Sequence, residues 1–239
     1  MNKVAVVTGS AKGLGRSIAL WLADQGYTLV VHFKKSRKEA EVLLSQLRKK
    51  SPQSLIVQAD LTREREVGAM FDSVFKKFSR VDLLVNNVGD FIYKEFAETT
   101  NAEFRDVLET NLYATLFCSR AVLPQMRKQK FGQIINIGAV GAERITLRAK
   151  SVPYFLAKNG VYVLTKAMAY DEAKNGVRVN MISPGSMAVD IFSKKDFPMG
   201  REAKHEDVID ALKFLISDEA YYINGANIEV AGGFIPGYT

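Results

Sequence analysis

Tyr154 and Lys158 stand four residues apart in YFLAK. On a helix that spacing puts both side chains on one face. A free tyrosine has a pKa of about 10, too high for easy proton exchange at neutral pH. A neighbouring ammonium favours the tyrosinate and is expected to bring that value down. The pair can then deliver a proton to an oxygen that is gaining negative charge.

A second chemical feature lies near the start. TGSAKGLG (8–15) joins an apolar run to an amphipathic segment. Gly9, Gly13 and Gly15 permit a tight turn, and backbone N–H groups can approach a pyrophosphate there. The following helix N-terminus adds a favourable dipole. The next apolar run ends in HFKKSRK, with Lys34, Lys35, Ser36 and Arg37 where an acid would hold a ribose 2′-hydroxyl. Lys12 adds a cation inside the turn. Cations disfavour a helix N-terminus unless something requires them. The pattern suits a 2′-phosphate, and the cofactor expected is NADP(H).

These residues need a frame. VAVVT (4–8), YTLVVHF (27–33), SLIVQAD (54–60), VDLLVNN (81–87), residues 132–137, VRVNMIS (177–183) and ANIEVAG (226–232) read as strands. Helical periodicity falls at 15–26, 38–50, 63–79, roughly 102–128, around 154–175 and at 205–217. Strands alternate with helices, so the expected fold is α/β: a Rossmann-like, doubly wound parallel sheet of about seven strands with helices on both faces. No linker or repeat interrupts the 239 residues, which read as a single NADP(H)-binding domain. Residues 186–204 are less regular and form a candidate substrate lid.

Composition sets the outer limits. Hydrophobic residues make up 47% and charged residues 25%, the balance of a soluble globular protein. No apolar run is long enough to span a bilayer, and a first strand starting at Lys3 leaves no room for a signal peptide. One cysteine, Cys118, fits a reducing cytoplasm and reads as a structural thiol. His32 and His205 form no metal-ligand pattern, so no metal is expected. The net charge of +7 is spread along the chain without a nucleic-acid-binding motif.

The glycine turn, Asp60–Leu61, NNVG at 86–89, Asn111, the Tyr154–Lys158 pair and Pro184–Gly185 occur in an order and spacing that resembles the short-chain dehydrogenase/reductase family across almost the whole chain. The resemblance implies a nicotinamide cofactor and a homotetramer or homodimer. It implies cofactor contacts from Gly9, Ser10, Lys12, Gly13, Leu14 and Gly15, and from Lys34, Lys35, Ser36 and Arg37. It places Asp60 and Leu61 at the adenine, Asn87 and Gly89 along the cofactor, and Pro184, Gly185 and Met187 beside the nicotinamide. Tyr154 would be the general acid, and Lys158 would also hold the nicotinamide ribose. Asn111 would hold a water that links Lys158 to solvent.

Two departures from the family pattern stand out. The serine usual after the fifth strand is Ala139, fifteen positions before Tyr154. Thr146 and Ser151 lie in the intervening loop. Val189 stands where the family often has a threonine near the carboxamide. The general likeness is to 3-oxoacyl-acyl-carrier-protein reductases, which reduce a ketone with NADPH. RKQK (127–130) offers positive charge to an acidic carrier protein. VVHFKKS and Phe91 also resemble pteridine reductases. Ala139 leaves open a non-catalytic NADP(H)-binding sensor or scaffold.

Overall fold

The computed structural model describes residues 3–144, 150–187 and 192–234. Val4–Val7 (β1), Thr28–Phe33 (β2), Leu55–Gln58 (β3), Leu83–Asn86 (β4), Gly132–Ile137 (β5), Val177–Pro184 (β6) and Asn227–Val230 (β7) form one sheet in the order β3-β2-β1-β4-β5-β6-β7. Every pairing is parallel. The expected doubly wound sheet is the observed one.

Alternate residues of each strand feed opposite faces. Ala5, Val7, Leu29, Val31, Leu83 and Val85 pack under the helices Gly13–Asp24 (α1), Arg37–Leu47 (α2) and His205–Ile216 (α7). Val4, Val6, Val30 and Leu84 pack under Glu64–Phe78 (α3), Ala114–Gln129 (α5) and Val152–Glu172 (α6). Cys118 belongs to this second core, fully buried, and burial pushes its thiol up to about 12. It packs as an inert apolar group.

The chain reverses its winding direction between β1 and β4. The loops that leave these two strands therefore part and open a crevice at the strand C-termini.

The long helix expected over 102–128 is not continuous. Asn101–Leu108 (α4) passes into a π-helical segment, Glu109–Tyr113, before α5 begins. The wider turn centres on Asn111, which is fully buried. Its Nδ2 donates to the Val107 carbonyl at 3.0 Å and to the Asp90 carbonyl at 2.8 Å. Thr115 Oγ1 donates to the Asn111 carbonyl at 2.8 Å. Reaching a loop carbonyl from inside the helix takes side-chain donors away from regular winding, which periodicity alone does not reveal.

A buried polar chain ties α6 to the sheet. Asn86 Nδ2 donates to Asn136 Oδ1 at 2.9 Å, and Asn136 Nδ2 donates to Thr165 Oγ1 at 2.8 Å. Thr165 Oγ1 donates onward to the Val161 carbonyl at 2.8 Å. The helix that carries Tyr154 and Lys158 is thereby fixed to β4 and β5.

Candidate active site

Gly9 and Gly13 adopt φ of +62° and +55°, which other residues reach only with strain. A Cβ on Gly15 would lie 2.6 Å from Asn87 Nδ2 and 2.7 Å from the Gly9 carbonyl oxygen. Only glycine lets α1 approach the turn this closely. Lys12 is the N-cap of α1 and supplies no capping hydrogen bond, and the first turn contains no acid. The first amides of α1 therefore remain donors for an outside anion. From the far side, Thr8 Oγ1 accepts from the Asn87 and Val88 amides at 2.8 and 3.1 Å, locking NNVG against β1.

His32 is the functional residue that sequence reasoning missed. It is buried, and its Nδ1 accepts from the Gly9 amide at 3.0 Å while Nε2 faces the Ala59 carbonyl at 3.0 Å. An amide donor on one nitrogen and a carbonyl acceptor on the other require the neutral tautomer with hydrogen on Nε2. Burial lowers its pKa, against the Ala59 hydrogen bond and the nearby Asp60 charge. One ring thus holds the glycine turn, β2 and the residue before Asp60. A histidine inside a fully buried strand was the available signal, since it must find two partners there. Ser10 serves the same turn from beneath: its hydroxyl donates to the Val7 carbonyl at 2.7 Å and accepts from the His32 amide at 3.2 Å.

The basic cluster is gathered at the β2 end, and most of it is already paired. Lys12 Nζ lies 2.7 Å from Glu39, and Lys34 Nζ lies 2.8 Å from Asp60. Arg37 lies 3.6 Å from Glu41 and donates to Gln58 Oε1 at 3.0 Å. Lys35 has no ion-pair partner among the described residues. Ser36 is the N-cap of α2 and makes no side-chain cap. Burial would raise the Asp60 pKa, but hydrogen bonds from Lys34 and Thr62 hold it below the usual range. Leu61 is buried beside it.

Tyr154 and Lys158 come together on α6. Lys158 Nζ donates to the Ile137 carbonyl at 2.8 Å and stands 5.5 Å from the Tyr154 ring centre. Phe91 meets Tyr154 edge to face at 4.9 Å. The expectation of a lowered tyrosine pKa is corrected here: burial pushes Tyr154 up to about 12. The ammonium is aimed at a carbonyl, and burial pulls Lys158 itself down to about 8. Asn111 Nδ2 is engaged by the Asp90 and Val107 carbonyls, and its backbone carbonyl accepts from Thr115. Its buried Oδ1 has no hydrogen-bond partner among the described residues, and a Cβ on Gly89 would lie 2.1 Å from it.

Pro184 ends β6, and the Gly185 amide donates to the Val230 carbonyl at 2.9 Å. Met187 packs against the α1 core. Ala139 sits buried in the post-β5 turn. The turn is pinned by Gly141 N–H donating to Glu229 Oε1 at 2.7 Å, and by Arg144 lying 3.6 Å from Glu229. In the described part of the 186–204 segment, Phe192 and Phe197 pack with Phe234 against Val140. Thr146 and Val189 lie outside the described residues. Within the basic RKQK stretch Arg127 is paired: its Nε donates to Glu172 Oε2 at 2.8 Å.

Residues 9–235 match the adh_short_C2 family, described as enoyl-(acyl carrier protein) reductase. The 3-oxoacyl-[acyl-carrier-protein] reductase FabG of Staphylococcus epidermidis is 35% identical, covering 98% of this chain and 99% of that protein. The chain belongs to the short-chain dehydrogenase/reductase family. Within this family it is also 30% identical to 1,6-dihydroxycyclohexa-2,4-diene-1-carboxylate dehydrogenase of Acinetobacter baylyi, over 97% of the chain and 96% of that enzyme. Acetoin dehydrogenase YohF from Salmonella typhimurium shares the fold with a TM-score of 0.89 and 26% identity, over 100% of this chain and 99% of that one. Short-chain dehydrogenases/reductases are nicotinamide-dependent oxidoreductases, and the glycine cradle and α1 N-terminus fit such a cofactor. Among the described residues no cluster could hold a metal ion, and no helix is long and apolar enough to cross a membrane.

Proposed function

We propose that this protein is an NADPH-dependent carbonyl reductase acting on a 3-oxoacyl thioester or a similar small ketone. The observation that carries the reading is the Tyr154–Lys158 pair, with Lys158 held by the Ile137 carbonyl and Tyr154 packed against Phe91. Full-length similarity to a 3-oxoacyl reductase favours this over the pteridine-reductase-like and non-catalytic readings. The 239 residues act as one NADP(H)-binding domain, supported by the single sheet.

Gly9, Ser10, Gly13, Leu14 and Gly15 would shape the pyrophosphate cradle, with Asn87 and Gly89 along one wall. Asp60 and Leu61 would flank the adenine, and Lys12, Lys34, Lys35, Ser36 and Arg37 would receive the 2′-phosphate. Pro184, Gly185 and Met187 would flank the nicotinamide. When bound, the reduced nicotinamide supplies a hydride to the carbonyl carbon. Tyr154 gives its hydroxyl proton to the carbonyl oxygen, so the product is an alcohol. A tyrosine raised to about 12 stays protonated at neutral pH and is ready as an acid. Lys158 stabilises the tyrosinate left behind and would also hold the nicotinamide ribose. A proton from solvent then restores Tyr154.

The reading extends to a homodimer or homotetramer. A groove along α4 and α5, in which Phe104, Leu108, Tyr113 and Phe117 lie beside Arg105 and Glu109, supports it. The test of function is NADPH consumption with a short 3-oxoacyl thioester. Turnover in the wild type and its loss in Tyr154→Phe support the proposal, whereas cofactor binding without turnover on ketones or thioesters contradicts it.

A further inference from the structure

Ala139 removes one hydroxyl from the post-β5 turn, and the amides on either side of it are already engaged. The Gly138 amide donates to the Ile182 carbonyl at 2.7 Å, and Val140 donates to the Pro184 carbonyl at 3.0 Å. Gly141 donates to Glu229, and Ala142 donates to the Ala139 carbonyl at 3.0 Å. A second side-chain donor for the substrate oxygen would have to come from elsewhere.

Ser151 is the N-cap of α6 and is only 5% exposed. An N-cap hydroxyl ordinarily accepts from the amide two or three residues on. Two residues on is Pro153, which has no N–H, and three residues on is Tyr154. Neither capping bond is made. The other buried serines all use their hydroxyls: Ser10 on Val7 and His32, Ser51 with Ser54, Ser119 with Asn86, and Ser183 with Asn227. The Ser151 hydroxyl has no hydrogen-bond partner among the described residues. Its Oγ is also not one of the fully enclosed unpartnered atoms, as Ser186 Oγ is, so it faces an opening.

Backbone contacts tie Ser151 to the neighbourhood of Tyr154. The Lys94 amide donates to the Lys150 carbonyl at 2.7 Å, which clamps the loop carrying Phe91 to the residue just before Ser151. Phe91 in turn packs on Tyr154. Ser151 therefore begins the helical turn that carries Tyr154, next to the point where that loop is tied down.

We propose that Ser151 is a catalytic residue that supplies the hydrogen bond lost at Ala139, donating from Oγ to the same substrate oxygen that Tyr154 protonates. This rests on the carbonyl-reductase reading above. Ser151→Ala should lower kcat/KM for a 3-oxoacyl thioester by about 10²-fold, the usual effect of losing one oxyanion donor. NADPH affinity and melting temperature should hold, because no protein contact is removed. Ala139→Ser should change the wild type little but restore much of the loss when combined with Ser151→Ala. Full activity in Ser151→Ala overturns the proposal, as does a melting temperature that falls in parallel with activity, the mark of a structural cap. An active wild type silenced by Tyr154→Phe but indifferent to Ser151→Ala defeats only this proposal. An NADPH-bound wild type that turns over no carbonyl defeats the reductase reading and this proposal with it.

Discussion

Lys158 Nζ donates to the Ile137 carbonyl at 2.8 Å while lying 5.5 Å from the centre of the Tyr154 ring. The ammonium is thus anchored by the last residue of β5 and lies beside its tyrosine, with little water around it. Its charge is costly there, which is why its pKa falls from 10.5 to about 8.

This predicts a trade between stability and activity. A lysine with a depressed folded-state pKa contributes fully only above its unfolded value. That contribution is lost as pH falls through about 8. At neutral pH the penalty is on the order of 3 kcal/mol, less whatever the Ile137 hydrogen bond returns. Lys158→Met should abolish turnover. Relative to this variant, the wild type should gain stability as pH rises from neutral to about 10. Denaturant unfolding at both pH values checks it, and a pH-independent difference contradicts it.

The His32 clamp predicts sensitivity to acid. Protonation would set an N–H against the Gly9 N–H. A histidine whose folded pKa lies below 6.5 gives stability that is present above 6.5 and is lost as pH falls through the folded value. His32→Leu leaves a buried amide and a buried carbonyl without partners, for a loss of about 2–4 kcal/mol. It should also weaken NADPH binding through the loosened turn. Calorimetry and thermal melts from neutral pH downward test both effects; an acid-insensitive wild type argues against the clamp.

Cofactor choice should rest unequally on the basic cluster. Lys12, Lys34 and Arg37 each have a carboxylate partner, whereas Lys35 has none among the described residues. NADPH should bind more tightly than NADH. Lys35→Glu should narrow that preference more than Lys12→Ala does. Dissociation constants for both cofactors decide this, and equal wild-type affinities would reject the NADP(H) assignment.

Thr165→Val keeps the side-chain shape and breaks the Asn136 link. The loss should be about 1–3 kcal/mol, because Asn136 Nδ2 is left buried and unpaired. Turnover should fall with little change in NADPH affinity, since the link positions α6 and not the glycine turn. An unchanged melting temperature contradicts the tether.

Much of this was legible in the sequence because it is local. Strand alternation, the glycine spacing and the four-residue Tyr–Lys interval each follow from one element's geometry. What sequence did not reveal depends on partners from distant elements. The π-helical turn at Asn111 answers to the Asp90 carbonyl, and His32 matters because Gly9 and Ala59 flank it. The Tyr154 pKa was misread for the same reason. Spacing brings Lys158 near, but the Ile137 carbonyl and the surrounding burial decide where its charge acts.

The most direct test of the central claim is NADPH oxidation with a short 3-oxoacyl thioester, measured for the wild type and Tyr154→Phe side by side with NADPH affinity for each. The account predicts thioester-dependent turnover in the wild type. It predicts a loss of at least about 10²-fold in the variant, the scale of a general acid's contribution, with cofactor affinity unchanged. Equal turnover in the two proteins would contradict it, as would a wild type that binds NADPH and leaves the thioester untouched.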